Sequence, residues 1–145
     1  MVEGAISGPA RGFWIIGVLA LVWNLLGVVS YVMQVTMTPE QLAQMQDAER
    51  LLYTDVPAWA TGAYAIAVFG GTLGAIALLL RKAWAVPVFI VSLLAIVVQM
   101  GHAMFMTDAL SVLGPTAAIM PLVIVLIAVG LLLYARRARA SGWLR

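Results

Sequence analysis

One histidine, a handful of amides and hydroxyls and no cysteine are what this 145-residue chain offers for chemistry within its apolar bulk. His102 alone cannot supply a two-histidine zinc site or a bis-histidine haem. A Met–His haem is arithmetically open with eight methionines, yet methionine is ordinary filler in apolar helices. The apolar stretches hold no Asp or Glu. That removes the carboxylate pair of general acid–base catalysis and any deep carboxylate proton carrier. The lack of cysteine removes disulfides, thiolate metal sites and thiol redox chemistry. Gly70-Gly71-x-x-Gly74 matches a phosphate loop only in spelling, having no lysine and no preceding strand. No catalytic residue, metal or cofactor is expected, and the chain reads as non-enzymatic.

Neutral polar residues are what remains. Asn24, Gly27, Tyr31 and Gln34 recur at helical spacing and share a stripe. Ser92, Gln99 and His102 cluster in a second apolar stretch, and Thr61 and Tyr64 open a third. If these faces converge, Asn24, Tyr31, Gln34, Tyr64, Gln99 and His102 line a polar crevice suited to an uncharged, hydroxylated solute. Deep polar groups cost free energy unless paired. The simpler alternative is interhelical hydrogen bonding, worth about 0.6 kcal/mol per contact and up to about 2. For His102 the simpler alternative is hydration near an interface. Gly70, Gly71 and Gly74 supply a G-x-x-x-G face for close helix packing, either within the chain or in a homodimer.

These residues must be positioned by membrane-spanning helices. The chain is 64% hydrophobic and 10% charged, with a mean hydropathy of +1.06. A soluble domain carries about 25% charged residues, and a chain this short cannot hide so much apolar surface inside itself. Crossing a bilayer takes roughly 20 helical residues, and helices satisfy their own backbone there. Stretches at about 13–34, 58–80, 83–106 and 116–134 qualify and lack Asp, Glu, Lys and Arg. Pro57, Pro87 and Pro115 lie at or near first turns, and Pro121 predicts a kink early in the fourth. The expected architecture is an all-α membrane four-helix bundle, two transmembrane hairpins forming one domain over residues 1–145. The first stretch is too long, and lacks the small-residue cleavage pattern, for a signal peptide.

Alternating spans put Arg11, Arg81, Lys82, Arg136, Arg137, Arg139 and Arg145 on one side. Glu40, Asp47, Glu49, Asp55 and Asp108 fall on the other, with Glu3 and Arg50 as exceptions. Basic loops stay inside, so both termini are expected in the cytoplasm, with Trp59, Trp84 and Tyr134 as interfacial anchors. In the long first loop, Thr38-Pro39-Glu40-Gln41 is a capping box with proline at the first helical position. It predicts one amphipathic helix over about 39–53 on the outer surface, with Leu42, Met45 and Leu52 on one face, serving as a connector or a lid. Asn24-Leu-Leu-Gly-Val-Val and Ser92-Leu-Leu-Ala-Ile-Val also align loosely, as an internal duplication would produce. The few, scattered basic residues give no nucleic-acid footprint.

Trp23-Asn24-Leu-Leu-Gly27, Tyr31-x-x-Gln34, Val56-Pro57-Ala58-Trp59-Ala60 and Ala67-Val-Phe-Gly-Gly-Thr-Leu-Gly74 carry a further signal. So do Arg81-Lys82-Ala-Trp84-Ala85, Gly114-Pro115 and Ala135-Arg-Arg-Ala-Arg-Ala-Ser-Gly-Trp143. Together they resemble a family of small bacterial four-helix inner-membrane proteins that go by the label sugar transporter. The resemblance implies a bacterial inner-membrane location and points toward transport. The expected partners are the lipid bilayer, further copies of the chain or a larger membrane complex, and a small neutral, sugar-like solute. An accessory subunit packing on a larger complex is the alternative function.

Overall fold

The structure is a computed structural model that describes residues 8–54, 56–107 and 109–145. Glu3, Asp55 and Asp108, which enter the charge pattern, lie outside the described residues. The described residues are all-helical, and four helices are long and apolar enough to cross a membrane. These are α1 (Arg11–Val35), α4 (Ala58–Leu79), α5 (Ala85–Gly101, continuing as a π turn His102–Met106) and α7 (Ile119–Ala140, entered through a 3₁₀ turn Pro115–Ala118). Short helices α2 (Pro39–Ala43), α3 (Asp47–Thr54) and α6 (Ala109–Leu113) join them at one end.

Helix α4 is the hub because its inner stripe is made of small residues. Ala60, Ala63, Ala67, Gly71, Gly74 and Leu78 recur at helical spacing and are buried. α1 packs on one side of α4, α5 on the other, and α7 on α5. Each neighbouring pair is antiparallel: Tyr31 meets Tyr64, and Gly74 meets Phe89. α1 buries only Phe13, Gly17 and Ala20, and α7 only Ala135 and Ala138. Large side chains such as Leu19, Met33, Leu94, Leu122 and Leu126 are more than half exposed. An apolar surface that extensive belongs in hydrocarbon.

The tightest packing lies at the end bearing Arg11, Arg81 and Arg139, the basic end. Phe13, Leu78, Val86, Phe89 and Leu144 form a buried cluster with Tyr134 and Trp143 against it. The Phe13 ring lies 6.3 Å from Tyr134 and 5.8 Å from Trp143. α4 and α7 both end there in Schellman motifs. Lys82 N–H donates to Ala77 O at 2.8 Å with Arg81 at φ 57°, and Trp143 N–H donates to Ala138 O at 2.9 Å with Gly142 at φ 78°. The two turns then pair: Arg145 N–H donates to Arg81 O, Ala83 N–H to Arg145 O, and Arg81 Nε to Trp143 O, all within 2.9 Å. A left-handed arginine costs of order 1 kcal/mol, and these bonds offset it.

Four boundaries depart from expectation. The loop helix is broken between Ala43 and Asp47. The break places Asp47 and Glu49 in a first turn, where the helix dipole favours them, rather than mid-helix. The capping box itself is present: Gln41 N–H donates to Thr38 Oγ1 and Thr38 N–H to Gln41 Oε1. Leu42, Met45 and Leu52 are half-buried on the protein side despite the break. The third span ends in a π turn. The fourth helix runs past Tyr134 to Ala140, since the arginines that leave the hydrocarbon still suit a helix C-terminus. Pro121 falls in the first turn of the α segment, where its missing N–H removes no intrahelical bond. The irregularity there is instead the preceding 3₁₀ turn, which starts after Gly114 at φ 82°. Leu-Leu-Leu at 78–80 closes α4 whereas the one at 131–133 lies inside α7, so those segments are not in register.

Candidate functional site

Between the four long helices lies a crevice of about 300 Å³. It runs along roughly 15 Å of α5, from Phe89 to Gln99, at a rise of 1.5 Å per residue. Its polar groups come from three helices: the Trp23 indole N–H, Asn24 and Ser30 on α1, Tyr64 on α4, Ser92 and Gln99 on α5. α7 contributes Met120, Ile124, Ile127, Ala128 and Leu131, an apolar wall. Below Phe89 the aromatic cluster at the basic end closes the space. α1 and α7 meet there through Phe13 and Tyr134 and leave a gap along the crevice above.

Most of these polar groups are already committed. Asn24 Nδ2 donates to Ala20 O at 2.8 Å within its own helix. Ser92 Oγ, almost fully buried, donates to Ala67 O at 2.7 Å across α5 and α4. Tyr64 OH donates to Ser30 Oγ at 2.9 Å across α4 and α1. Asn24 Oδ1 accepts no hydrogen bond, and Gln99 makes none, among the described residues. Neither is sealed off, because no described side-chain N or O is both fully buried and unpartnered. Asn24 Oδ1, the Gln99 amide, the Ser30 hydroxyl proton and the Trp23 indole N–H are the groups left to meet a solute.

The glycines set the depth of the crevice floor. A methyl group added at Gly71 would come 2.0 Å from Asn24 Oδ1 and 3.4 Å from Ser92 Oγ. At Gly74 it would come 2.6 Å from the Phe89 ring, and at Gly70 3.3 Å from Ser92 Cβ. Gly70, Gly71 and Gly74 therefore face α1 and α5 of the same chain. Asn24 and Ser92, equivalent positions in the loose duplication, approach Gly71 from its two sides.

Of the six candidate solute contacts, the crevice gathers three: Asn24, Tyr64 and Gln99. Tyr31 packs its ring on Tyr64 at 5.4 Å and on Phe69 at 5.8 Å, outside the lining. Gln34 is half-buried and also outside it. His102 is 9% exposed, with the Trp59 ring edge-to-face at 5.2 Å. It lines a separate space of about 320 Å³ under α3, with Leu51, Leu52, Met106 and Val112. Gln99 and His102 are three residues apart yet face different cavities, and the π turn begins at His102. Sequence reasoning missed Ser30, which stands one turn beyond Gly27 on the stripe, and Trp23, one turn before it. The apolar wall of α7 gave no signal, because one more apolar residue in an apolar span is unremarkable.

Comparison with protein-family models, with curated proteins and with solved structures found no match for this chain. Its class rests on its own architecture. Four long apolar helices around a crevice, joined by short helices, define a multi-pass helical membrane protein.

Proposed function

We propose that the protein is a non-enzymatic permease of the bacterial inner membrane that takes a small neutral solute into the crevice between its four helices. The observation that carries this is the crevice itself: about 300 Å³, free of charged side chains, with Asn24 Oδ1 and the Gln99 amide uncommitted inside it. An ion would be stripped of water there with no countercharge. The basic end would face the cytoplasm, since short loops rich in Lys and Arg are retained inside. The aromatic cluster around Phe13 would then be a plug on the cytoplasmic side, and the crevice would lie above it toward the outside. α2 and α3 would be the outer-surface connector. A solute path through four helices would work as an oligomer, with each copy contributing one crevice.

Hydrogen-bond supply narrows the solute. A hexose brings about five hydroxyls, and each one left unpaired in an apolar site costs roughly 1–3 kcal/mol. The crevice has four uncommitted polar groups, Asn24 Oδ1, the Gln99 amide, the Ser30 hydroxyl proton and the Trp23 indole N–H, and none on α7, so it favours a solute with fewer hydrogen-bonding groups than the sugar that the resemblance implies. Purified protein in liposomes tests the reading. Saturable uptake of a neutral solute, lost in Asn24→Leu and Gln99→Leu, supports it. No flux above background for polyols, sugars, amides or alcohols contradicts it.

A second reading draws on α7, which packs mainly on α5, touches α1 and α4 at the basic end, and has no buried residue in its most apolar window. An accessory subunit would cover that face with a partner helix. Mild-detergent purification would then yield a stoichiometric partner, and recovery of the chain alone would count against it.

A further inference from the structure

We infer that the crevice is a side-entry site for a neutral amphiphile, a molecule with one or two uncharged hydrogen-bonding groups on an apolar body that enters from the hydrocarbon between α1 and α7. This rests on the reading of the crevice as the solute site and names the class of solute. The walls are two-faced in the way such a molecule is. α1, α4 and α5 present Asn24, Ser30, Tyr64 and Gln99, whereas α7 presents only Met120, Ile124, Ile127, Ala128 and Leu131. A ligand with polar groups all round would leave half of them against the α7 wall, and a pure hydrocarbon would leave Asn24 Oδ1 and Gln99 unpaired.

The entrance has the same character. Its edges, Leu26 and Met120, are 61% and 59% exposed and both apolar. A molecule already dissolved in the bilayer passes them at no desolvation cost, whereas a sugar must shed its water first. A charged headgroup is disfavoured because no Asp, Glu, Lys or Arg lines the space. At about 300 Å³ the crevice is at the small end of ligand sites.

The test uses the full chain in lipid nanodiscs and a medium-chain primary alcohol bearing a diazirine, with labelled positions mapped by mass spectrometry. A hexose bearing the same group is run in parallel. Saturable labelling of residues 23–30 and 120–131 by the alcohol is expected, competed by unlabelled alcohol. It should fall at least tenfold in Ala128→Phe, which fills the crevice, and in Met120→Trp, which obstructs the entrance at an exposed position. It should stay unchanged in Leu94→Phe, on an outward face. Labelling by the alcohol that is unsaturable and spread over outward residues overturns the inference. Saturable labelling of the crevice by the hexose alone overturns it while leaving the crevice as the solute site. If neither probe responds to the two blocking variants, the proposed function fails with it. Cross-linking of Leu26→Cys to Met120→Cys of a second copy, unaffected by the alcohol, also overturns it.

Discussion

The side-chain oxygen of Asn24 lies against the α-carbon of Gly71, so close that any β-carbon at position 71 would come 2.0 Å from it. The only deep amide of the first span thus sits where α1 approaches α4, at the level where Ser92 of α5 also arrives.

That relationship ranks the glycines. Gly71→Ala and Gly74→Ala force a half-buried amide and an aromatic ring to move, and overpacking of this kind costs about 1–3 kcal/mol. Gly17→Ala meets only the Leu79 side chain, at Cδ2 and Cγ, which is half-buried and can rotate away, so its effect is smaller. Gly62→Ala and Gly130→Ala meet nothing within 4 Å and gain helix propensity, about 0.5–1 kcal/mol. Denaturation of each variant in mixed micelles should give that order.

Coupling follows from the same contact. Gly71→Ala should be partly rescued by Asn24→Ala, because the clash disappears with the amide. A double-mutant cycle should show a favourable interaction term of about 0.5–3 kcal/mol. Strict additivity would mean that the two residues do not touch.

Ser92→Ala removes the hydrogen bond to Ala67 O that ties α5 to α4. The expected loss is about 0.6 kcal/mol, the average for such bonds in membrane helices. Ser92→Leu, which must also displace Gly70 from close contact, should cost several times more in the same denaturation assay.

Gly142→Ala strains a left-handed position and loosens the pairing of residues 143–145 with the 81–83 turn, at about 1 kcal/mol. Trp143→Ala removes the ring from Phe13, and aromatic pairs are worth about 0.5–1.5 kcal/mol beyond burial. Both should make a cysteine at Leu78, fully buried here, reactive to a soluble thiol reagent while leaving the helix content unchanged.

Much of the fold was legible because the bilayer imposes it. An uncharged run of about twenty apolar residues has few alternatives to a spanning helix, and all four stretches are helices. Helix ends were harder, because hydrocarbon limits and helix limits differ: Arg136, Arg137 and Arg139 leave the apolar run but not α7. Thr38 and Gln41 announced a helix start, whereas the break before Asp47 depended on a second start competing inside the same loop. α6, with five residues, carried no signal above its surroundings. In the site, Asn24, Tyr64 and Gln99 were readable as polar residues in apolar surroundings. Tyr31 and Gln34 share their spacing but not their destination, because a stripe fixes a helix face and not which neighbour covers it. Gln99 and His102 part because three residues on a helix leave their side chains about 60° apart, enough for different neighbours to cover each one.

The central claim, that apolar helices enclose a crevice distinct from their outward faces, is tested most directly by thiol reactivity in membranes. The chain has no cysteine, so single replacements report without background. Thiolates react and thiols buried in hydrocarbon do not. Gln99→Cys should react with N-ethylmaleimide, more slowly when the alcohol probe is present, while Leu94→Cys and Leu122→Cys stay inert. Equal reactivity at all three positions, or a Gln99→Cys as inert as the other two, would contradict the account.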